Sequence, residues 1–103
     1  MEKEKRYYEF SADKNQLLIK ERGISFEDVI TAIEGGAALD VVPHSNRTKY
    51  PNQEMYVVNI NNYVYLIPFV RKDKNTVFLK TIIPHRKSTK LYLRGGKHEK
   101  EKT

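Results

Sequence analysis

The sequence predicts an α+β domain in which two N-terminal helices pack on a mainly antiparallel sheet of four to five strands, followed by a short basic C-terminal segment. Three observations lead there. Two segments begin on a serine and end on glycine, the punctuation of capped helices. From Leu39 onward the chain turns to β-branched and aromatic runs. The last of these runs are joined by short polar links, and strands segregated from helices in this way define an α+β architecture. With 103 residues, the chain suits one domain with one core, spanning residues 7–94.

Tyr7-Tyr8-Glu9-Phe10 reads as a short opening strand. Ser11 offers its hydroxyl as an N-cap, Asp13 places an anion in the first turn, and a helix over Ala12–Arg22 is expected to stop at Gly23. Leu17, Leu18 and Lys14 are expected along its inner side. The second helix is better marked. Ser25 caps it and Asp28 stands at the capping-box position; Phe26, Val29, Ile30 and Ile33 recur at i, i+3, i+4 and i+7. Gly35-Gly36 ends it, and Ile24 is placed to pack back on the first turn.

Leu39–Val42 predicts a strand, and residues 43–53, with two prolines and two asparagines, a long loop of functional or mobile character. Met55–Ile60 and Tyr63–Phe69 are apolar runs joined by Asn61-Asn62; asparagine tolerates positive φ, which suits a two-residue hairpin. Residues 72–75 make a second turn into a strand over Thr76–Ile83. A basic segment follows, with helix expected over Lys87–Leu93. The two helices are expected to cover one sheet face. The other, assigned Tyr65, Phe69 and Phe78, is expected to be only partly covered by the C-terminal segment. Residues 1–6 and 95–103 are read as flexible charged termini.

Net charge is +6, and its location matters more than its size. Residues 1–70 hold 8 Lys and Arg against 10 Asp and Glu, a net −2, whereas residues 71–94 hold 8 against 1, a net +7. Cations gathered in the C-terminal third suggest a polyanionic partner. The absence of cysteine excludes disulfides, thiolate metal sites and cysteine nucleophiles. The charged start is not followed by a signal-peptide core, and the longest apolar run, 63–70, is far short of the roughly 20 residues a spanning helix needs. A cytoplasmic protein without a membrane contact is expected.

Three stretches carry a family resemblance: Tyr8-Glu9-Phe10-Ser11 with Lys14; residues 20–29, from Lys20-Glu21-Arg22-Gly23 to Asp28-Val29; and Ile82-Ile83-Pro84-His85-Arg86-Lys87-Ser88-Thr89-Lys90. In this order and spacing, over residues 7–92, the chain resembles the BrnT family of bacterial toxins, within the RelE-like ribonuclease group. The resemblance implies the toxin of a type II toxin–antitoxin pair. Such a toxin is an endoribonuclease that cleaves messenger RNA and blocks translation. Its partner is a small DNA-binding antitoxin that neutralises it, so DNA is met only through the complex. The chain departs from the family pattern at Phe10, Ser11, Arg22, Met55 and Pro84-His85.

Metal-free RNA cleavage needs a base for the 2′-hydroxyl, cations for the transition state and an acid for the leaving oxygen. Arg86 is the leading phosphate ligand, since a guanidinium grips two oxygens through a planar fork. Lys20 and Arg22, which close the first helix, are expected to converge with it; a role at the helix's negative end would equally account for both. His85, His44 and Glu9 are the acid–base candidates, with His98 discounted in the tail. Lys80, Lys87 and Lys90 are candidate RNA phosphate ligands, and Tyr92 and Tyr63 candidate stacking surfaces, with Tyr63 expected rather in the core. No metal-ligand spacing, Gly-rich phosphate loop or nucleophile elbow is present, so neither metal nor cofactor is expected. The alternative is an RNA- or protein-binding module of the same fold without catalysis.

Overall fold

The computed structural model describes residues 5–94, so the expected flexible ends, 1–6 and 95–103, lie outside the described residues apart from Lys5 and Arg6. The elements are β1 (Tyr7–Glu9), α1 (Ala12–Arg22), α2 (Phe26–Glu34), β2 (Ala38–Pro43), β3 (Glu54–Ile60), β4 (Tyr63–Arg71), β5 (Thr76–Leu79), β6 (Ile83–Pro84), α3 (Arg86–Thr89) and a π-helical turn, Lys90–Arg94. The strands form one sheet in the order β1-β5-β4-β3-β2, with β6 joined to β4. β1 runs parallel to β5, and the remaining pairs are antiparallel. The α+β arrangement is as the sequence implied, with a sheet one strand larger.

Both helices start as their caps dictate. Ser11 Oγ accepts from the Lys14 N–H, and Gly23, at φ 70°, closes α1 in the left-handed conformation that favours glycine. Ser25 and Asp28 form the full reciprocal capping box of α2. Leu17 is not on the inner side of α1: it is 43% exposed, whereas Asn15 and Leu18, three residues apart, are buried. The polar Asn15 takes the inner position because it ties the helices together. Its Oδ1 accepts the Phe26 N–H at 2.7 Å and its Nδ2 donates to Glu27 Oε1 at 2.9 Å. The Phe26 N–H belongs to the first turn of α2, where no carbonyl of the helix can reach it.

Strand alternation divides the sheet. Tyr56, Val58, Ile67, Phe69, Val77 and Leu79 face the helices and pack with Leu18, Ile24, Phe26 and Val29. Tyr56 stacks on Phe69 at 4.2 Å and Phe10 on Phe26 at 4.9 Å. Met55, Val57, Val64 and Leu66 face the other way, under Tyr92 and Leu93 of the C-terminal segment. The expectation that Tyr65 and Phe69 lie on the helix-free face is therefore corrected. Both share the parity of Ile67, which the helices bury; Phe78, cross-strand from Val70, does lie on the helix-free side.

Asn61 and Asn62, at φ 54° and 67°, form the left-handed two-residue turn between β3 and β4. The predicted strand Thr76–Ile83, in contrast, is broken into β5 and β6. Lys80 N–H donates to Pro68 O at 2.8 Å, half of a reciprocal antiparallel pair; the other half would need an N–H at residue 68, which proline lacks. Beyond this point the register slips. Phe69 faces Leu79 and Leu66 faces Ile83, three steps along β4 against four along its partner. The extra residue is a bulge, and it turns Ile82 into the helix-side core and Ile83 onto the opposite face.

At the far edge, β2 is closed to further pairing by its own residues. The Val41 N–H is met by Asp40 Oδ1 at 2.8 Å and Pro43 has no N–H to offer.

Two predictions follow from this packing. Asn15→Ala leaves the Phe26 N–H without an acceptor and should lower unfolding free energy by about 1–3 kcal/mol, read from chemical denaturation. Burial raises the hydroxyl pKa of both Tyr8 and Tyr56 above the ordinary 10.0, against the lowering influence of Arg6 on both and of Arg71 on Tyr56. An acid whose folded value is raised adds stability that is complete below the unfolded value and is lost as pH climbs through the folded one. Stability should therefore decline above about pH 10, and Tyr56→Phe should remove part of that decline; an identical alkaline profile in the variant would refute the assignment.

Candidate nucleic-acid interface

The C-terminal segment is held to the sheet by two side chains. Thr89 is buried; its Oγ1 accepts the Val64 N–H at 2.9 Å and donates to His85 O at 3.0 Å, so the helix end substitutes for a missing strand partner. Tyr92 donates its hydroxyl to Asp40 Oδ2 at 3.0 Å, anchoring the π turn across the helix-free face. Burial, and then the bond to Asp40, raises the Tyr92 pKa.

His85 caps α3. Its Nδ1 accepts the Ser88 N–H at 3.2 Å and lies 2.8 Å from Ser88 Oγ, an arrangement that leaves the ring proton on Nε2. With α3 and the π turn fixed, Arg86, Lys90 and Arg94, each four residues after the last, line one cleft of about 390 Å³ together with Tyr63 and Thr89. Among the described residues, no acidic side chain lines it. Three cations around an aromatic ring suit a phosphate with a base beside it. Arg94 was not singled out from the sequence, although the four-residue recurrence Arg86, Lys90, Arg94 carried the signal. Tyr63, placed at the hairpin end of β4, belongs to this cleft.

The remaining expected site residues are distributed as follows. Arg22 donates to Ile82 O at 3.0 Å, linking the end of α1 to the β5–β6 bulge. It lines a separate cleft of about 460 Å³ with Asp28, Thr31, Asn61 and Tyr65. The two clefts adjoin through Tyr63 and Tyr65, whose rings meet edge to face at 5.6 Å. Lys20, exposed on α1, is among the lining residues of neither. Glu9 pairs with Lys72 at 2.8 Å on the opposite, β1–β5 side of the sheet, and that bond raises the Lys72 pKa. It is not brought to the Arg86 cleft. Lys87 is exposed on α3.

Lys80 and His44 meet elsewhere. Both line a cleft of about 370 Å³ with Tyr50, Gln53, Pro68, Thr81 and Ile83. The loop from 44 to 53 is internally bonded: His44 N–H donates to Gln53 O, Tyr50 N–H to Asn46 O, and Asn46 N–H to His44 Nδ1. His98 lies outside the described residues. Among those described, no three His, Asp or Glu side chains gather with metal-holding geometry, and no helix is long and apolar enough to cross a membrane.

No protein family, curated protein or solved structure matches this chain.

Thr89→Val keeps the shape of the buried side chain but removes the acceptor of the Val64 N–H. It should cost about 1–3 kcal/mol and speed amide exchange at Val64 and across α3; unchanged exchange there would show that Thr89 does not hold the segment.

Proposed function

We propose that this protein is the ribonuclease toxin of a type II toxin–antitoxin pair, which binds messenger RNA through the C-terminal cleft, cleaves it and so blocks translation. The observation that carries the reading is the convergence of Arg86, Lys90 and Arg94 on one cleft beside Tyr63, with no carboxylate among the described residues that line it. An RNA phosphate is the chemistry such a lining recognises, and the sequence resemblance over residues 7–92 supplies the class of reaction. Arg86 stabilises charge on the phosphodiester, Lys90 and Arg94 hold neighbouring phosphates, and Arg22 extends the cationic surface past the Tyr63–Tyr65 pair. His85, adjacent in sequence to Arg86 and carrying its proton on Nε2, is the acid–base group closest to these cations along the chain. Its partner in this reading is a small DNA-binding antitoxin that neutralises it, and contact with DNA occurs through that complex.

Production of the chain alone should arrest growth and fragment messenger RNA, and the product of a small adjacent reading frame should reverse both. Arg86→Ala should reduce cleavage by about 100-fold or more. Each of Lys90→Ala and Arg94→Ala should flatten the salt dependence of RNA binding by about 0.7 in log–log slope. Normal growth with intact transcripts at high expression would sink the toxin reading.

A second reading is favoured by one feature of the site. Glu9 is engaged with Lys72, His85 uses Nδ1 as a helix cap, and among the described residues neither carboxylate nor imidazole lines the cleft. A module that binds RNA without cutting it would show the same salt dependence and yield no cleaved product.

A further inference from the structure

The bulge that Pro68 forces between β5 and β6 opens the helix-free face beside the 44–53 loop. The cleft there has an apolar floor, Pro68 and Ile83, and an aromatic wall in which Tyr50 and His44 lie with ring centroids 4.6 Å apart. Asn46 N–H donates to His44 Nδ1, so the imidazole presents an N–H at Nε2. Lys80 lines the cleft, and Lys49 Nζ sits over the Tyr50 ring, 5.3 Å from its centre. At about 370 Å³ the space is of the size that takes one small planar ligand. Only two residues separate Ile83, in its floor, from Arg86, a span of at most about 10 Å along extended chain.

The geometry points to a nucleobase-binding slot: one base of an RNA strand lies against Tyr50 and His44, over Pro68 and Ile83, with its phosphate toward Lys80. This rests on the proposal that RNA is the ligand of the Arg86 cleft, and gives that cleft a second subsite for a nearby nucleotide. A flat, π-faced ring matches the aromatic wall and apolar floor, and the anion attached to it matches Lys80 and Lys49. The loop is held in place by its own hydrogen bonds, so the wall stands ready without ordering on binding.

The test uses the full chain, titrated with adenosine 5′-monophosphate and, separately, with inorganic phosphate, followed by backbone amide resonances. The nucleotide should move signals of 44–53 and 80–83, and phosphate at the same concentration should move them less. Tyr50→Ala should weaken nucleotide binding by about fivefold or more, the effect of losing one stacking partner; Tyr50→Phe, which keeps the ring, should retain it. Lys80→Met should weaken the nucleotide while leaving the response to free adenosine. Shifts confined to 86–94, or equal affinity in Tyr50→Ala, would overturn the slot. An intact slot in a chain that cleaves no RNA would sink the ribonuclease reading alone.

Discussion

Pro68 lies in the interior of β4 with its missing N–H turned toward β5, and most of what distinguishes this sheet follows from that one absent donor. β4 keeps its full antiparallel ladder with β3, because residue 68 directs its backbone groups to the other side. On the β5 side the ladder stops at Lys80, takes in one extra residue and resumes at Ile83. A one-residue slip exchanges the faces of everything after it. That exchange sends Ile82 beneath the helices, sends Ile83 to the opposite face, and sets the direction from which α3 leaves the sheet.

The consequences meet at the two ends of the bulge. At one end the gap beside Pro68 becomes a cleft walled by the 44–53 loop. At the other, the chain turns at His85 into a short helix whose Thr89 hydroxyl replaces a strand neighbour for Val64. The C-terminal cations then project from a segment anchored at Thr89 and Tyr92 rather than from a frayed tail. Arg22 reinforces the same junction from the helix layer through Ile82 O, so the cation at the end of α1 bonds to the bulge backbone as well as lining its cleft. Electrostatic and packing roles coincide there, and a charge-reversal at Arg22 perturbs both.

The helix layer depends on a second polar device. Asn15 satisfies the first N–H of α2 from inside α1, and the same amide bonds the Glu27 carboxylate and, as the largest influence on it, lowers its pKa. Buried polar groups are costly unless paired, so this one fixes the relative placement of two helices whose apolar stripes alone would permit sliding. Separately, β2 shields its outer edge with Asp40 and Pro43, and Asp40 also receives Tyr92, so one carboxylate serves the edge and the C-terminal anchor.

The sequence by itself determined the elements governed by local rules: the Ser11 and Ser25 caps, the Gly23 stop, the Asn61-Asn62 turn, the strand-forming runs and the excess of positive charge in residues 71–94. These depend on interactions within a few residues, which a sequence displays directly. It could not show which inward position Asn15 would take, or that Tyr65 and Phe69 share the helix face, because parity across strands depends on register. Nor could it split Thr76–Ile83, since the cause sits in a different strand, at Pro68. The candidate site divided in the same way. Arg86 and Lys90 were legible as a basic run, and Arg94 was present as a four-residue recurrence. Glu9 was bonded to Lys72, the Tyr92 hydroxyl to Asp40, and His44 joined to Lys80 in one cleft, through contacts between residues distant in sequence; only the folded chain brings such groups within hydrogen-bonding or packing distance.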